Sequence, residues 1–127
     1  TKKGKVVIGV AYGDIHCIGK DLVKTFMSIS GYDMYDLGTE VPTAKFINKA
    51  QEVNADIIAI SAMMTASMSY QGDVINKLKA QGLRDKYKVL VGGCPMTPAF
   101  AESIGADEWG ADMADAVVKA DKMMKTM

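Results

Sequence analysis

The sequence predicts a single α/β domain built on a parallel β-sheet, and three observations support this class. Five short segments rich in apolar and β-branched residues alternate with segments whose apolar residues recur at helical spacing. The length of 127 residues suits one domain. The apolar fraction of 49% is enough for one core and excludes a disordered chain. We therefore expect one domain over residues 1–127.

The first predicted strand, Lys5–Ala11, is a continuous apolar run, which is typical of a strand covered on both faces. No internal repeat or linker interrupts the alternation that follows. The other predicted strands are Tyr32–Leu37, Asp56–Ile60, Tyr87–Val91 and Asp107–Trp109.

A helix is predicted after each strand. In the first helix, Ile18, Leu22, Phe26 and Ile29 recur at helical spacing, and Gly31 marks the end. The second helix has an N-cap at Thr43 and the apolar residues Phe46, Ile47, Ala50 and Val53, and the third has Tyr70, Val74 and Leu78 before Gly82. The fourth helix runs from the N-cap Thr97 and Pro98 to Gly105. The last helix has an N-cap at Asp112 and the apolar residues Met113, Ala116, Val117, Ala120 and Met124.

Five β/α units with right-handed crossovers form, most simply, a flavodoxin-like (Rossmann-like) five-stranded parallel sheet in the order 2-1-3-4-5, with helices on both faces. Sheets of this kind bind ligands beyond the carboxyl ends of their strands. The candidate loops are therefore Tyr12–Gly19, Ser61–Ser67, Gly92–Thr97 and Gly110–Asp112.

Charge and composition exclude several classes of function. Fifteen basic and 15 acidic residues leave no net charge that would attract nucleic acid or an anionic membrane. No stretch is long and apolar enough to span a bilayer, and no signal-peptide-like segment precedes the first strand. Cys17 and Cys94 form neither a disulfide framework nor a zinc motif. We expect a cytoplasmic protein that binds neither nucleic acid nor a membrane.

The first candidate loop contains His16, the only histidine in the chain, two residues after Asp14. A neutral imidazole can bind a metal through one ring nitrogen while a carboxylate accepts the N–H of the other and fixes the tautomer. Taken alone, the two residues favour a surface histidine beside a carboxylate, because short motifs also occur by chance.

Other functions of this topology need residues that the chain lacks at the corresponding positions. A receiver domain needs an acidic phospho-acceptor and a lysine where this chain has Ser61 and Gly110. A flavodoxin needs a phosphate-binding loop after the first strand, and Asp14 would repel an anion there. The nucleotide-binding motifs GxGxxG and GxxxxGKS are absent from the sequence.

Three motifs at fixed spacing carry a resemblance to a known family. Asp14-x-His16-x-x-Gly19 is followed after 41 residues by Ser61-x-Met63, and after a further 28 residues by Gly92-Gly93. This pattern resembles the DxHxxG, SxL and GG motifs of the cobalamin (vitamin B12)-binding domain of corrinoid proteins, over nearly the whole chain. Within that family, segments 13–20, 36–42 and 92–97 look most like the methyltransferase corrinoid proteins.

The resemblance implies a bound cobalamin or related corrinoid in the base-off/His-on state. The nucleotide tail of the cofactor would leave the cobalt and enter a slot between the first and third strands, while His16 becomes the lower axial ligand. Asp14 and Ser67 would complete a His–Asp–Ser relay. The cofactor-binding positions implied in this way are Gly13, Asp14, Ile15, His16, Cys17, Ile18, Gly19, Ser61, Met63, Thr65, Gly92, Gly93, Asp112 and Met113.

Several of these positions have other interpretations or depart from the family pattern. A helix cap and a core methionine explain Asp112 and Met113 equally well, and a tight turn explains Gly92-Gly93. Met63 replaces the usual leucine, a nearly volume-conserving change. Cys17 replaces the usual aspartate, and we expect it to pack beside the site rather than bind cobalt.

The resemblance also implies a function: a methyl carrier that cycles between Co(I) and methyl-Co(III), as one component of a methyltransferase system rather than a complete catalyst. Its partners would be a substrate-specific methyltransferase subunit, an acceptor-side methyltransferase and a reductive activator of the corrinoid. We expect the helical cap module of such proteins to be absent from this chain. Two alternatives stay open: the small component of an adenosylcobalamin-dependent mutase, and a corrinoid sensor or storage module.

Overall fold

The computed structural model describes residues 3–12, 18–62, 65–92, 97–110 and 112–125. Five strands and five helices alternate along these residues, and a short 3-10 helix spans Arg84–Lys86. The strands are β1 (Lys5–Val10), β2 (Asp33–Asp36), β3 (Ile57–Ser61), β4 (Lys88–Gly92) and β5 (Glu108–Gly110). The helices are α1 (Ile18–Ile29), α2 (Thr43–Val53), α3 (Thr65–Ala80), α4 (Pro98–Ile104) and α5 (Met113–Met124).

All strand pairs are parallel, and the strand order is β2-β1-β3-β4-β5. This confirms the predicted fold class and topology. The central strands β1, β3 and β4 are buried along almost their whole length, which is why they are continuous apolar runs in the sequence. The observed strand ends differ from the predicted ones by at most one residue. Ala11, for example, lies beyond β1 and forms an isolated bridge with Val41.

Two apolar cores lie on opposite faces of the sheet, because successive side chains of a strand point in opposite directions. Val6 and Ile8 belong to the core under α1 and α5, whereas Val7 belongs to the core under α2, α3 and α4. Helices α1 and α5 also pack against each other. Most of the described core is therefore set by strand alternation together with one inward stripe on each helix.

Several helix ends follow the predicted local chemistry. Thr97 Oγ1 accepts a hydrogen bond from Phe100 N at 3.2 Å and caps α4, which begins with Pro98. Helix α4 ends at Gly105, whose φ of 84° lies in the left-handed region that favours glycine. Asp112 caps α5 by accepting from Asp115 N at 2.8 Å. The predicted caps of α4 and α5 are thus confirmed.

Two features of the helices differ from expectation. Thr43 does not cap α2: Pro42 occupies the N-cap position and no side chain caps the helix. In α1 the predicted apolar stripe faces solvent, with Leu22, Phe26 and Ile29 exposed by 47%, 39% and 79%. Periodicity identified the helix correctly, but it does not determine which side of the helix meets the sheet.

The side of α1 that packs on the protein carries Lys20, Val23 and Met27. Lys20 Nζ forms an ion pair with Asp36 at the end of β2. The packed side of α1 therefore combines two apolar side chains with one paired lysine, while Leu22, Phe26 and Ile29 are left in solvent.

Candidate functional site

The carboxyl ends of four strands are aligned in one row. In the register of the sheet, Val10 lies opposite Ser61, Ser61 opposite Gly92, and Gly92 opposite Gly110. Alternation places this row on the sheet face that carries α1 and α5. Two residues predicted to bind the cofactor, Ser61 and Gly92, are therefore direct neighbours at the edge where such folds bind ligands.

Main-chain atoms of neighbouring segments lie close to the two glycines of this row, Gly92 and Gly110. A Cβ atom added at Gly92 would lie 3.2 Å from the carbonyl oxygen of Gly110, and one added at Gly110 would lie 3.3 Å from the Cα atom of Ala116 in α5. Both contacts are tight and involve main-chain atoms, which do not give way easily. Glycine at position 92 thus has a steric reason in the sheet itself, beside its expected role next to a ligand.

Three polar side chains are fully buried in the described segments: Lys20, Ser67 and Gln71, with exposures of 4%, 1% and 0%. Lys20 lies in the first turn of α1, and the other two lie one turn apart in the first half of α3. Helices that follow parallel strands begin near the carboxyl edge of the sheet, so all three belong to the surroundings of the candidate site. Burial of polar groups is costly unless they are partnered, which makes their concentration here informative.

Gln71 joins the ends of β3 and β4. Its Nε2 donates hydrogen bonds to the carbonyl oxygens of Ile60 at 2.9 Å and Gly92 at 3.1 Å. Its Oε1 is buried and has no hydrogen-bond partner among the described residues. Sequence reasoning missed Gln71. The available signal was its place four residues after Ser67 on the helix face that continues with Val74 and Leu78.

Asp36 receives hydrogen bonds from both the first turn of α1 and the loop after β2. Lys20 Nζ contacts Asp36 Oδ1 at 3.0 Å and Oδ2 at 2.8 Å, and Gly38 N donates to Asp36 Oδ1 at 2.8 Å. The Lys20 ammonium also contacts Asp21 at 2.6 Å, and Lys24 lies 3.3 Å from Asp36 Oδ2.

These contacts change the pKa of both Lys20 and Asp36. Burial alone would raise the pKa of Asp36, but hydrogen bonds from Lys20 and Gly38 and the charge of Lys20 more than offset this and lower it. Burial alone would lower the pKa of Lys20, but hydrogen bonds to Asp21 and Asp36 and their charges raise it. The pair is therefore ionised at neutral pH.

The other predicted site positions fall into two groups. Gly13, Asp14, Ile15, His16, Cys17, Met63 and Gly93 lie outside the described residues. Ile18 and Gly19 begin α1, Thr65 begins α3, and Met113 begins α5 directly after the N-cap residue Asp112.

The described side chains do not form a metal site by themselves. Within the described ranges, no group of three or more His, Cys, Asp or Glu side chains is arranged to hold a metal ion. No helix in that part of the chain is long and apolar enough to cross a membrane.

The row at the carboxyl edge consists of Val10, Ser61, Gly92 and Gly110. A ligand that uses this row would meet a serine hydroxyl, glycine backbone and an apolar side chain.

Comparison with known proteins identifies the family. The model of the B12 binding domain matches residues 4–118. The chain belongs to this B12-binding family. It is 47% identical over 124 residues to dimethylamine corrinoid protein 3 of Methanosarcina mazei, covering 98% of the chain and 74% of that protein. It is 48% identical over 124 residues to the dimethylamine corrinoid protein of Methanosarcina barkeri, again covering 98% of the chain but 58% of that protein.

A solved structure agrees with this assignment. The methanol:cobalamin methyltransferase complex MtaBC from Methanosarcina barkeri contains a chain that superposes with a TM-score of 0.93 at 30% identity, covering 100% of this chain and 48% of that chain. The match confirms the resemblance to methyltransferase corrinoid proteins and supports corrinoid binding. The chain spans between 48% and 74% of the length of these three proteins.

Proposed function

We propose that the chain binds one corrinoid at the carboxyl edge of its sheet and serves as the methyl-carrier component of a methyltransferase system. The nucleotide tail would lie along the face of α1 and α5, and His16 would be the residue that binds the cobalt in place of the tail base. The row Val10–Ser61–Gly92–Gly110 carries this proposal, because it aligns two motif residues from separate loops. The third motif, Asp14-x-His16-x-x-Gly19, follows β1 in the sequence.

The described residues suit the tail of a corrinoid. Ser61 offers a hydroxyl, and Gly92 offers backbone without a side chain at a point where a Cβ atom would crowd Gly110. The row itself contains no charged side chain. A bound corrinoid supplies the cobalt ion that accepts and donates the methyl group. The protein holds the tail, sets the height of the imidazole and keeps its second nitrogen hydrogen-bonded.

Asp14 and Ser67 act on His16 rather than on the cobalt. A carboxylate that accepts the second imidazole N–H fixes the tautomer and increases the basicity of the ligand nitrogen. Ser67 is almost completely buried near the start of α3, where a hydroxyl is protected from exchange with bulk water. Asp14, His16 and Ser67 would share the proton that the imidazole carries when it is not bound to a metal.

Partners follow from the carrier role. A substrate-specific methyltransferase subunit delivers the methyl group, an acceptor-side methyltransferase removes it, and a reductive activator restores the corrinoid after oxidation. Relatives named for dimethylamine make dimethylamine the first methyl donor to test. Methanol is the second, because the superposed chain belongs to a methanol:cobalamin methyltransferase complex.

The axial ligand is tested by electron paramagnetic resonance of the cobalt(II) form. The chain contains one histidine, so labelling with nitrogen-15 histidine labels His16 alone. The nitrogen splitting of the cobalt signal should change with this label and disappear in His16→Ala, and added imidazole should restore it. A splitting that instead follows nitrogen-15 in the benzimidazole of the cofactor would contradict the proposed ligation.

The carrier role is tested by methyl transfer. The reduced, corrinoid-loaded chain should become methylated by methyl iodide without a partner, as read from its optical spectrum. Dimethylamine or methanol should methylate it only when the matching methyltransferase subunit is present. If no such subunit supports transfer, and the chain instead supports an adenosylcobalamin-dependent rearrangement with a mutase large subunit, the carrier proposal is wrong.

A further inference from the structure

One carboxylate is connected to both ends of the segment that contains His16. Residues 13–17 lie between the end of β1 and the start of α1. On the α1 side, Lys20 binds both oxygens of Asp36. On the β1 side, Gly38 N donates to Asp36 Oδ1 at 2.8 Å, and the carbonyl oxygen of Gly38 accepts from Val10 N at 2.9 Å. Asp36 thus links the residue that ends β1 with the first turn of α1.

The backbone around Asp36 is shaped for this connection. Gly38 has a φ of 90°, a conformation that glycine adopts without strain and most other residues do not. In this conformation Gly38 directs its N–H to Asp36 and its carbonyl oxygen to Val10 of β1. Val41 N also donates to the carbonyl oxygen of Val10 at 2.9 Å, so the loop after β2 lies firmly along the end of β1.

Stability alone is a weak explanation for the buried lysine. Lys20 is only 4% exposed, and removing its ammonium from water offsets much of its attraction to Asp36, whose side chain is 19% exposed. Lys24 provides a contrast, since it contacts the same carboxylate at 3.3 Å but is 43% exposed in its side chain. The contacts of Asp36 with both Lys20 and Gly38 point to a role in fixing a geometry.

We infer that Lys20 and Asp36 are positioning residues that hold both ends of segment 13–17 and so set the height of the His16 imidazole. The inference rests on the proposed function, because the height matters only if the imidazole binds a metal. Metal–ligand distances in proteins vary by only about 0.2 Å, so a small displacement of the segment weakens the bond. The pair does not touch the corrinoid and acts through the backbone.

The first test needs no cofactor. Hydrogen exchange followed by mass spectrometry measures the protection of peptides that cover residues 13–19 in the apo chain. Lys20→Met and Asp36→Asn should each speed exchange there by about tenfold or more, because a local contact that limits opening is lost. Lys24→Met is the matched control and should leave exchange unchanged. Lys20→Arg keeps the charge and should retain most of the protection. Unchanged exchange in both Lys20→Met and Asp36→Asn would overturn the inference.

The second test reads the metal. In the cobalt(II) form loaded with corrinoid and labelled with nitrogen-15 histidine, Lys20→Met and Asp36→Asn should weaken or broaden the histidine splitting, while Lys24→Met keeps it. The double variant should be no worse than the stronger single variant, because the two residues act as one unit. A wild-type histidine splitting in both single variants would overturn the positioning role even if exchange rises.

The two proposals fail in different ways. If the wild-type chain itself shows no histidine splitting, the proposed ligation is wrong, and the exchange comparison alone decides whether the pair holds the segment. If the wild-type splitting is present but insensitive to Lys20 and Asp36, the ligation stands and the positioning role is wrong.

Discussion

Gln71 provides the sharpest test of the described part of the site, because its amide has a defined set of neighbours. Its side chain is fully buried, and its Nε2 donates to two main-chain carbonyls on β3 and β4. Gln71→Met keeps a similar volume but removes both hydrogen bonds. Each bond contributes about 1 kcal/mol net. Removing the unpartnered Oε1 offsets part of this loss, so the expected cost is about 1–2 kcal/mol.

Gln71→Glu should have a larger and pH-dependent effect. A carboxylate here would face the carbonyl oxygens of Ile60 and Gly92, so the folded protein should hold the glutamic acid in its neutral form. Keeping a group of ordinary pKa about 4.3 neutral at pH 7 costs about 3.7 kcal/mol. The neutral acid retains one donor, so the loss of the second hydrogen bond adds about 1 kcal/mol.

The sign of the pH dependence follows from the raised pKa of the introduced glutamate. The folded state binds one more proton than the unfolded state at neutral pH, so the stability of Gln71→Glu relative to wild type rises as the pH falls from 7 to 4.5. Urea unfolding of the apo chain at both pH values measures this change. Gln71→Met should show a loss that does not depend on pH, and Gln51→Glu, on the exposed side of α2, is the matched control for charge. A Gln71→Glu loss that is equal at both pH values would refute the reasoning.

Three further predictions concern single residues near the carboxyl edge. Because hydrogen bonds lower the pKa of Asp36, its stabilisation is present above about pH 4 and lost as the pH falls through its folded-state pKa. The stability gap between wild type and Asp36→Asn in urea should therefore be constant from about pH 5 to 8 and close in acid. Asp112→Ala should cost about 1 kcal/mol through loss of the α5 cap, whereas Asp112→Asn keeps the cap and should be nearly neutral in the same assay. Gly92→Ala should cost about 1–3 kcal/mol because its Cβ atom would meet the Gly110 carbonyl at 3.2 Å; a neutral variant would show that the strands can shift.

The sequence allowed the sheet to be predicted because its central strands are simple. In β1, β3 and β4, burial on both faces demands continuous apolar runs, and the lengths of the intervening helices leave parallel crossovers as the only short connections. Local turn chemistry also predicted the caps at Thr97 and Asp112, because each cap depends on contacts within three residues. At Thr43 the same chemistry failed, since Pro42 takes the N-cap position.

The orientation of α1 and the role of Gln71 could not be predicted in this way. An apolar stripe such as Leu22, Phe26 and Ile29 is normally the buried side of a helix. Here the packed side includes Lys20, whose partner Asp36 lies 16 positions away in the sequence. A glutamine on a helix is normally a solvent-facing residue. The two carbonyls that it binds come from strands 11 and 21 positions away, and no local pattern indicates such contacts.

Gln71 and Lys20 are buried polar residues at the carboxyl edge. Their hydrogen bonds to separate strands explain how that edge is held. A ligand site at this edge needs the strand ends fixed relative to one another. Gln71 fixes the ends of β3 and β4 from α3, whereas Lys20 fixes the end of β2 from α1. Each contact uses a side chain outside the three motifs that resemble the cobalamin-binding pattern. Polar residues outside the motifs therefore hold strand ends and helix starts at this edge of the sheet.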